Sequence, residues 1–356
     1  MTATRLSARD RVVHGVKLAL AYGLYYAGVL QLWRRLTLKR KAIVLTYHRV
    51  LDPDAMARTW SHPAILVARD SFERQLQLLR RQFHLLPPDD FARCVAGECP
   101  FPSSSCLVTF DDGWIDTFTE AWPLLTRHGV PAIVFLPTRF IGSNELFWQE
   151  RLGALLHVIA ERAAEDPAFA PEARRRLALH GCDGVLDGSP ELLRQRILDQ
   201  VQALKQRAPA DALRVADALA PLVPPERLAR TTLDTFMSWD HVREMHAAGV
   251  AFGAHSVSHR ILPTLDREAI EGEVRGSQRA VTDALGHAPS LFSYPNGDWN
   301  ADCAAAVRDA GFAAAFSTAR GTVDGAADRF ALHRINMHED VTRHVPLFFA
   351  RILGVL

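Results

Sequence analysis

Short apolar runs alternate with segments of helical periodicity along most of the chain after residue 41. In the segment 70–82, for example, Phe72, Leu76 and Leu79 recur at helical spacing on one face. The apolar runs are short and rich in β-branched and aromatic residues, which is typical of buried strands. Their alternation with amphipathic helices predicts an α/β fold with a parallel sheet or barrel. Seven strands are predicted in this way, at residues 42–47, 106–110, 130–136, 249–254, 290–294, 313–317 and 330–336.

One long segment breaks this alternation. Residues 145–235 are rich in Ala, Leu, Arg and Glu, have helical periodicity and contain several prolines. We predict that they form a helical insertion on the rim of a barrel made by residues 42–144 and 236–356. The role of the insertion stays open between a lid, a partner surface and a passive addition.

The residues before the first predicted strand form a separate apolar segment. Residues 18–33 are almost entirely apolar and include three tyrosines and a tryptophan, and a basic cluster follows at 34–41. A secretory signal carries its basic residues before the apolar run, and a membrane span needs ~20 apolar residues. We therefore predict that residues 1–41 form an amphipathic, membrane-proximal helix, which contacts anionic lipid through residues 12–41. A helix packed on the protein's own surface is the alternative.

The composition of the chain limits which partners and which cellular compartment we expect for it. The 356 residues include 41 Lys and Arg against 40 Asp and Glu, so the net charge is close to zero. Nucleic acid is therefore not an expected partner, because it selects a basic face. The five cysteines are odd in number and include no CxxC pair, which argues against a disulfide framework. With no clear secretory signal, we expect the chain in the cytoplasm or on the cytoplasmic face of the membrane.

Polar side chains lie at the ends of four of the predicted strands. The residues concerned are His48, the pair Asp111 and Asp112, His255 and Asn296. In parallel β/α barrels the carboxyl ends of the strands lie at one face, where catalytic groups gather. These residues are therefore expected to share one site.

The residue types at these strand ends are those of a metal site. Two adjacent carboxylates after a buried strand, Asp111 and Asp112, are costly unless a cation offsets their charge. Neighbouring side chains leave the backbone in different directions, so one carboxylate can bind the metal while the other faces a water molecule. His255 and His259 are four residues apart, which puts both imidazoles on one side of a turn. Two histidines and a carboxylate bind catalytic zinc, and also iron or cobalt.

In this order, the motifs resemble those of the polysaccharide deacetylase family, carbohydrate esterase family 4. Residues 109–113 (TFDDG) match the family's first motif and residues 255–259 (HSVSH) its second, whereas residues 293–297 (SYPNG) match the third in part. The resemblance covers residues 42–136 and 239–336 and implies a distorted (β/α)7 barrel. The pairs Tyr-His at 47–48 and Trp-Asp at 239–240 are similar to the exopolysaccharide-associated branch.

The resemblance implies a role for each matching residue. Asp111 corresponds to the general base, and Asp112, His255 and His259 correspond to the ligands of a divalent metal, which zinc fits best and which cobalt, nickel or iron could replace.

The remaining roles fall on residues that match the family less closely. Tyr294 and Asn296 lie in the loop that corresponds to the oxyanion- and substrate-facing loop, and Asn296 stands where an aromatic residue is usual. Ser293 replaces the arginine that orients the base in many members. The general acid of the family is a histidine in a Leu-x-His setting, for which His333 is the candidate, although its spacing is off by one. His48 is the second candidate, as an acid or a substrate-binding residue.

The implied reaction is metal-dependent hydrolysis of an N-acetyl group on a hexosamine, in a glycan or a lipid-linked sugar. A metal-dependent amidase acting on a non-sugar C–N bond is one alternative, and a catalytically inactive, membrane-associated assembly protein is another. A glycosidase using Asp111 and Asp112 is disfavoured, because glycosidase carboxylates face each other across the sugar at ~5 Å or more.

Overall fold

A computed structural model describes residues 8–205, 209–231 and 234–356 of the chain. The strands in these residues are β1 Ala42–Tyr47, β2 Arg49–Leu51, β3 Leu66–Ala68, β4 His84–Leu85, β5 Ser105–Phe110, β6 Ala132–Leu136, β7 Ala251–Ala254, β8 Leu291–Ser293, β9 Ala314–Phe316 and β10 Ile335–Asn336. The helices are α1 Ala8–Tyr26, α2 Val29–Thr37, α3 Pro53–Arg58, α4 Arg69–Gln82, α5 Pro88–Val95, α6 Trp122–His128, α7 Trp148–Glu165, α8 Ala170–Leu179, α9 Leu193–Lys205, α10 Pro209–Leu219, α11 Pro225–Thr231, α12 Trp239–Ala247, α13 Arg267–Leu285, α14 Ala301–Asp309, α15 Glu339–Thr342 and α16 Val345–Ile352.

The described chain divides into two compact units. Among these residues, the larger unit comprises 8–52, Pro63–Asn144 and Phe236–Leu356, and the smaller comprises Pro53–His62 and the described part of 145–235.

The larger unit is built on an eight-stranded parallel sheet. Seven strands follow the order β10, β1, β5, β6, β7, β8, β9, and the short strand β4 pairs with β5 beside them. β1 and β5 are buried along their whole length, as expected for strands with helices on one side and a barrel interior on the other. The predicted α/β barrel with seven strands is therefore confirmed. Because all seven strands run parallel, their carboxyl ends lie at the same edge of the sheet.

The last predicted strand, residues 330–336, is shorter than expected. Only Ile335–Asn336 form a strand, which pairs with β1, while Leu332 makes an isolated parallel bridge to Phe316 of β9. Between these two pairings the Arg334 N–H donates to the carbonyl of Ala319 and not to a neighbouring strand. The segment thus pairs briefly with each edge of the sheet, at β9 and at β1. The barrel is distorted because these short pairings replace one continuous strand.

The N-terminal segment contains two helices where the sequence predicts one. Gly28 separates α1 from α2 and has a φ of 75°, a left-handed conformation that glycine adopts without strain. α1 packs against α16, with the rings of Tyr25 and Phe349 5.8 Å apart. Among the helices of the described residues, none has the length and apolarity needed to cross a membrane.

The smaller unit contains α3 and α7–α11 around a hydrophobic core of its own. Trp60 lies against Gly153 of α7, where an added Cβ would come within 2.9 Å of the tryptophan Cβ. Asp234 accepts hydrogen bonds from the Thr59 hydroxyl at 2.5 Å and the Trp60 N–H at 2.9 Å. These contacts hold Pro53–His62 against the rest of the unit.

Candidate metal and catalytic site

Asp112, His255 and His259 lie together at the carboxyl ends of β5 and β7. The Asp112 Oδ1 atom is 3.6 Å from Nε2 of His255 and 3.3 Å from Nε2 of His259. One ligand atom from each residue lies within 4.8 Å of the others. The three residues that the sequence predicts as a ligand set are thus brought to one place.

The spacing of these atoms fits a tetrahedral divalent cation. Two ligands at 2.0–2.1 Å from a tetrahedral ion are about 3.4 Å apart, close to both observed separations. The Asp112 Oδ1 atom is buried and has no hydrogen-bond partner within the described residues, although a buried carboxylate oxygen normally has one. Its other oxygen, Oδ2, accepts a hydrogen bond from the indole N–H of Trp114 at 3.1 Å. A cation bound at Oδ1 would supply the partner that this carboxylate oxygen lacks among the described residues.

The protonation states also suit metal binding. Burial is the main reason that the pKa of His255 is lowered to about 4, so this imidazole is neutral at neutral pH. Its Nδ1 lies 2.7 Å from the carbonyl oxygen of Ser293, which fixes the proton on Nδ1 and turns the Nε2 lone pair toward Asp112. Burial alone would raise the pKa of Asp112, but the nearby histidines, with His259 contributing most, hold it well below its usual range.

A carboxylate outside the motif shapes the turn that carries the two histidines. Glu273, on α13, accepts hydrogen bonds from the N–H groups of Val257 and Ser258 at 2.8 Å each, and from the Ser258 hydroxyl. The Ser256 hydroxyl accepts from the His259 N–H at 3.0 Å. Both serines of the motif therefore hold the backbone, and the histidine rings remain available for the metal.

Left-handed backbone is concentrated around this cluster. Six non-glycine residues in the described part of the chain have a positive φ, and four of them are Asp112 (74°), Ser256 (63°), His259 (57°) and Asn296 (58°). Such conformations are costly for residues with a Cβ and persist where the surroundings enforce them, as they do at functional sites.

Asp111 is held by a guanidinium group from the segment that joins the sheet edges. Arg334 donates from Nη1 to Oδ1 and from Nη2 to Oδ2, both at 2.8 Å, and Nη2 also donates to the Ser293 hydroxyl at 2.9 Å. The Ser293 hydroxyl lies 3.3 Å from Asp111 Oδ2. Burial alone would raise the pKa of Asp111, but Arg334 and His255 lower it below its ordinary value.

Arg334 is a residue that sequence reasoning missed. It stands two positions after Leu332, at the place of histidine in a Leu-x-His pattern, and this position was a signal that could have found it. Position 293 thus carries a serine in place of the usual arginine, and a guanidinium group from a different segment, that of Arg334, contacts Asp111 instead.

The two candidate acids are placed differently. His333 is exposed and its ring lies against Gly321, because neighbouring residues in an extended segment face opposite sides and Arg334 takes the inward side. The prediction for His333 is therefore not supported by its position. His48 is half-buried and close enough to Asp111 and Asp112 to lower the pKa of both. Its buried Nδ1 has no hydrogen-bond partner among the residues described.

The two residues predicted for the third loop, Tyr294 and Asn296, differ in their exposure to solvent. Tyr294 is buried, its hydroxyl donates to the carbonyl of Phe330 at 3.0 Å and its N–H donates to that of Phe316. Both of its donors are thus engaged in packing β8. Asn296 is exposed, and its backbone is constrained by Gly297, where an added Cβ would overlap Thr318.

A buried ion pair supports the Asp112 side of the cluster. Arg49 donates from Nη2 to Asp116 at 2.8 Å, and its guanidinium lies 4.4 Å from the ring centroid of Trp114. Trp114 in turn donates to Oδ2 of Asp112, so this network orients the Asp112 carboxylate and leaves its Oδ1 atom without a partner. No sequence motif pointed to Arg49 or Asp116.

Sequence comparisons link the chain to known proteins. A family model described as polysaccharide deacetylase matches residues 100–183 and 210–315, a little over half of the chain. The Bacillus subtilis (strain 168) protein YxkH, which carries a polysaccharide deacetylase name, is 25% identical over 122 residues. That alignment covers 34% of this chain and 40% of YxkH, so the chain matches less than half the length of this curated relative.

Solved structures resemble the fold. IcaB from Ammonifex degensii aligns with a TM-score of 0.56 and 18% identity over 88% of this chain and 97% of its own. The Streptococcus pyogenes deacetylase PplD aligns with a TM-score of 0.52 and 16% identity over 85% and 94%, respectively. At sequence identities this low, the similarity to these structures shows a shared fold.

Proposed function

Because the chain belongs to the polysaccharide deacetylase family, we propose that it is a metal-dependent hydrolase that removes N-acetyl groups from hexosamine units of a glycan. Enzymes of this family hydrolyse N-acetyl amides, which are carbon–nitrogen bonds other than peptide bonds. One observation carries the proposal: a buried, unsatisfied Asp112 Oδ1 faces Nε2 of His255 and His259, with a second carboxylate one residue away.

Asp112, His255 and His259 are proposed to hold the metal, with zinc as the preferred ion because one carboxylate and two imidazoles leave a coordination position open. When bound, the cation would polarise the acetyl carbonyl and lower the pKa of a water molecule. The protein's part is to keep Nε2 of His255 deprotonated through the Ser293 carbonyl, and to keep Asp112 Oδ1 free through Trp114.

Asp111 is proposed as the general base. Arg334 occupies both oxygens from one side and fixes the plane of the carboxylate, while further lone pairs remain for the proton of the attacking water. The lowered pKa keeps Asp111 ionised, as a base must be before it accepts a proton.

His48 is proposed as the group that protonates the leaving amine, since it neighbours both aspartates and its Nδ1 has no competing partner among the described residues. We propose that the loop at Asn296 faces the substrate and contributes an N–H to the oxyanion. That loop is fixed in shape by the close approach of Gly297 to Thr318.

Acetate release from N-acetylated oligosaccharides, measured with and without a chelator, tests the proposal. We expect activity that the chelator removes and zinc restores. Asp111→Asn should abolish turnover and retain zinc at the wild-type stoichiometry, because it keeps the ligand set. Near-normal turnover by this variant would exclude Asp111 as the base. Release of acetate from non-sugar amides only would identify an amidase of another substrate class.

A further inference from the structure

The first two helices expose most of the protein's accessible apolar side chains. Fourteen large hydrophobic residues are exposed in the described part of the chain, and ten of them lie between residues 12 and 36. A soluble surface normally scatters such residues singly. Their concentration in one short segment indicates that something covers it.

The exposed residues of α2 form a continuous stripe. Val29, Leu32, Trp33 and Leu36 follow the spacing i, i+3, i+4, i+7 of one helix face, and all are between 44% and 58% exposed. A different side of the helix packs on the protein through Leu30, which is buried. α2 therefore has one apolar side for its own fold and a second that the fold does not use.

α1 carries a second exposed apolar row. Val12, Val16 and Leu20 follow the spacing i, i+4, i+8 and are 48–66% exposed, while the side with Tyr25 packs toward α16. Between residues 12 and 33 the only ionisable side chains besides tyrosine are His14 and Lys17. A helix that is apolar on all sides is normally buried or in contact with lipid.

A basic pocket adjoins the stripe. Arg34 and Arg35 of α2, with Lys39 and Arg40 just after it, line an open pocket of about 650 Å³ together with two serines, and no acidic side chain lines it. Arg34 Nε is buried without a hydrogen-bond partner in the part of the chain that the structure describes. Burial and the neighbouring Arg35 lower the pKa of Arg34, as expected where like charges gather.

The backbone of this pocket is also constrained. Among the non-glycine residues with positive φ in the described part of the chain, Arg40 (51°) and Ser104 (58°) line this pocket. The backbone thus shapes a pocket whose cations begin on the helix that carries the apolar stripe.

We propose that α1, α2 and the basic pocket form a docking surface for an anionic lipid membrane, with the stripe inserted among the acyl chains and the pocket at the phosphate groups. Charge complementarity selects this occupant, because lipid phosphates supply the anions and the layer beneath them is apolar. Trp33 and Tyr26, which is 77% exposed, are aromatic types that settle at this boundary.

The test is co-sedimentation of the full chain with phosphatidylcholine vesicles, with and without phosphatidylglycerol. We expect binding to the anionic vesicles that weakens as salt increases. Leu32→Ser with Leu36→Ser should lower the partition coefficient more than about tenfold, since each leucine loses its buried area. Arg35→Gln with Lys39→Gln should lower the partition coefficient about 25-fold, at roughly fivefold per charge.

Matched controls lie on other surfaces. Leu179→Ser with Leu192→Ser removes two exposed leucines, and Lys205→Gln with Arg279→Gln removes two exposed cations. Both double variants should bind as the wild type does. Thermal unfolding of every variant identifies any that fail to fold.

Three results would overturn the proposal. The first is no binding to either vesicle, and the second is equal binding to both. The third is a dimer, seen by sedimentation velocity without vesicles and lost in Leu32→Ser with Leu36→Ser, which would make the stripe an interface between copies of the chain. Vesicle binding requires no catalysis, so this result stands apart from the proposed hydrolase activity.

Discussion

Replacing Arg334 by methionine tests whether the buried Arg334–Asp111 ion pair stabilises the candidate site. The side chains of Arg334 and Asp111 are 1% and 3% exposed, and two hydrogen bonds of 2.8 Å join them. Two unit charges about 4 Å apart interact by about 4 kcal/mol at an effective dielectric constant near 20. Removing one partner of a buried pair commonly costs about 3–5 kcal/mol, because the other charge is left alone. We expect Arg334→Met to lower the free energy of unfolding by that amount.

A second variant separates the lost charge pair from simple loss of packing. Asp111→Asn in the Arg334→Met background removes the stranded carboxylate, so the double variant should be more stable than the sum of the two single changes predicts, by at least about 2 kcal/mol. Urea unfolding of the four proteins of this cycle, all without metal, measures the difference. Additive effects would refute a direct Arg334–Asp111 interaction.

The same change should alter the pH dependence of deacetylation. Arg334 helps to lower the pKa of Asp111, so the pKa rises when the guanidinium is removed. The base must be ionised, and the acidic limb of the kcat/KM profile should therefore move to higher pH. Arg49→Met is the matched control, because the Arg49–Asp116 pair is also buried with a separation of 2.8 Å. It should cost comparable stability and leave the acidic limb in place, and an equal movement in both variants would refute the assignment.

The remaining predictions concern individual side chains. Asp112→Ala should reduce zinc affinity by about a hundredfold or more, because it removes a ligand. Chelator competition measures the affinity, and an unchanged value would exclude Asp112 from the ligand set. His48→Gln should lower kcat by ~10²-fold or more, whereas His333→Gln should leave it within about twofold, and the reverse pattern would restore His333 as the acid. Glu273→Gln should weaken zinc binding about tenfold while the Leu179→Ser control does not, because Glu273 holds the turn that carries His255 and His259.

The strands and the metal cluster were accessible from sequence because each depends on local pattern. The six residues of β1 were predicted at their observed bounds, since a fully buried parallel strand is a continuous apolar run. Asp112, His255 and His259 meet because they follow strands, and parallel strands bring their carboxyl ends together.

The partners of these residues depend on tertiary contacts that no local pattern encodes. Arg49 and Asp116 are 67 positions apart and form a buried pair only after β2 is placed beside the first turns that follow β5. Asp111 and Arg334 are separated by 223 positions. Pattern also misplaced the end of α1, because Gly28 in an apolar run reads as a small helical residue until its φ of 75° is seen.

Ser293 and Arg334 together explain why the acid is the hardest part of the site to identify. In the family pattern that the sequence resembles, an arginine stands at position 293 and a histidine at position 334. Here the Ser293 hydroxyl makes one hydrogen bond of 3.3 Å to Asp111, and Arg334 holds the same carboxylate through two hydrogen bonds of 2.8 Å while also donating to the Ser293 hydroxyl. The exchange keeps Asp111 oriented but uses the position from which the histidine would act. In the proposed mechanism the proton donor therefore comes from another strand end, and His48, at the end of β1, neighbours both aspartates. Single substitution of Arg334 by histidine should therefore fail to restore an acid, because it removes the only contact that orients Asp111 from that segment within the described residues.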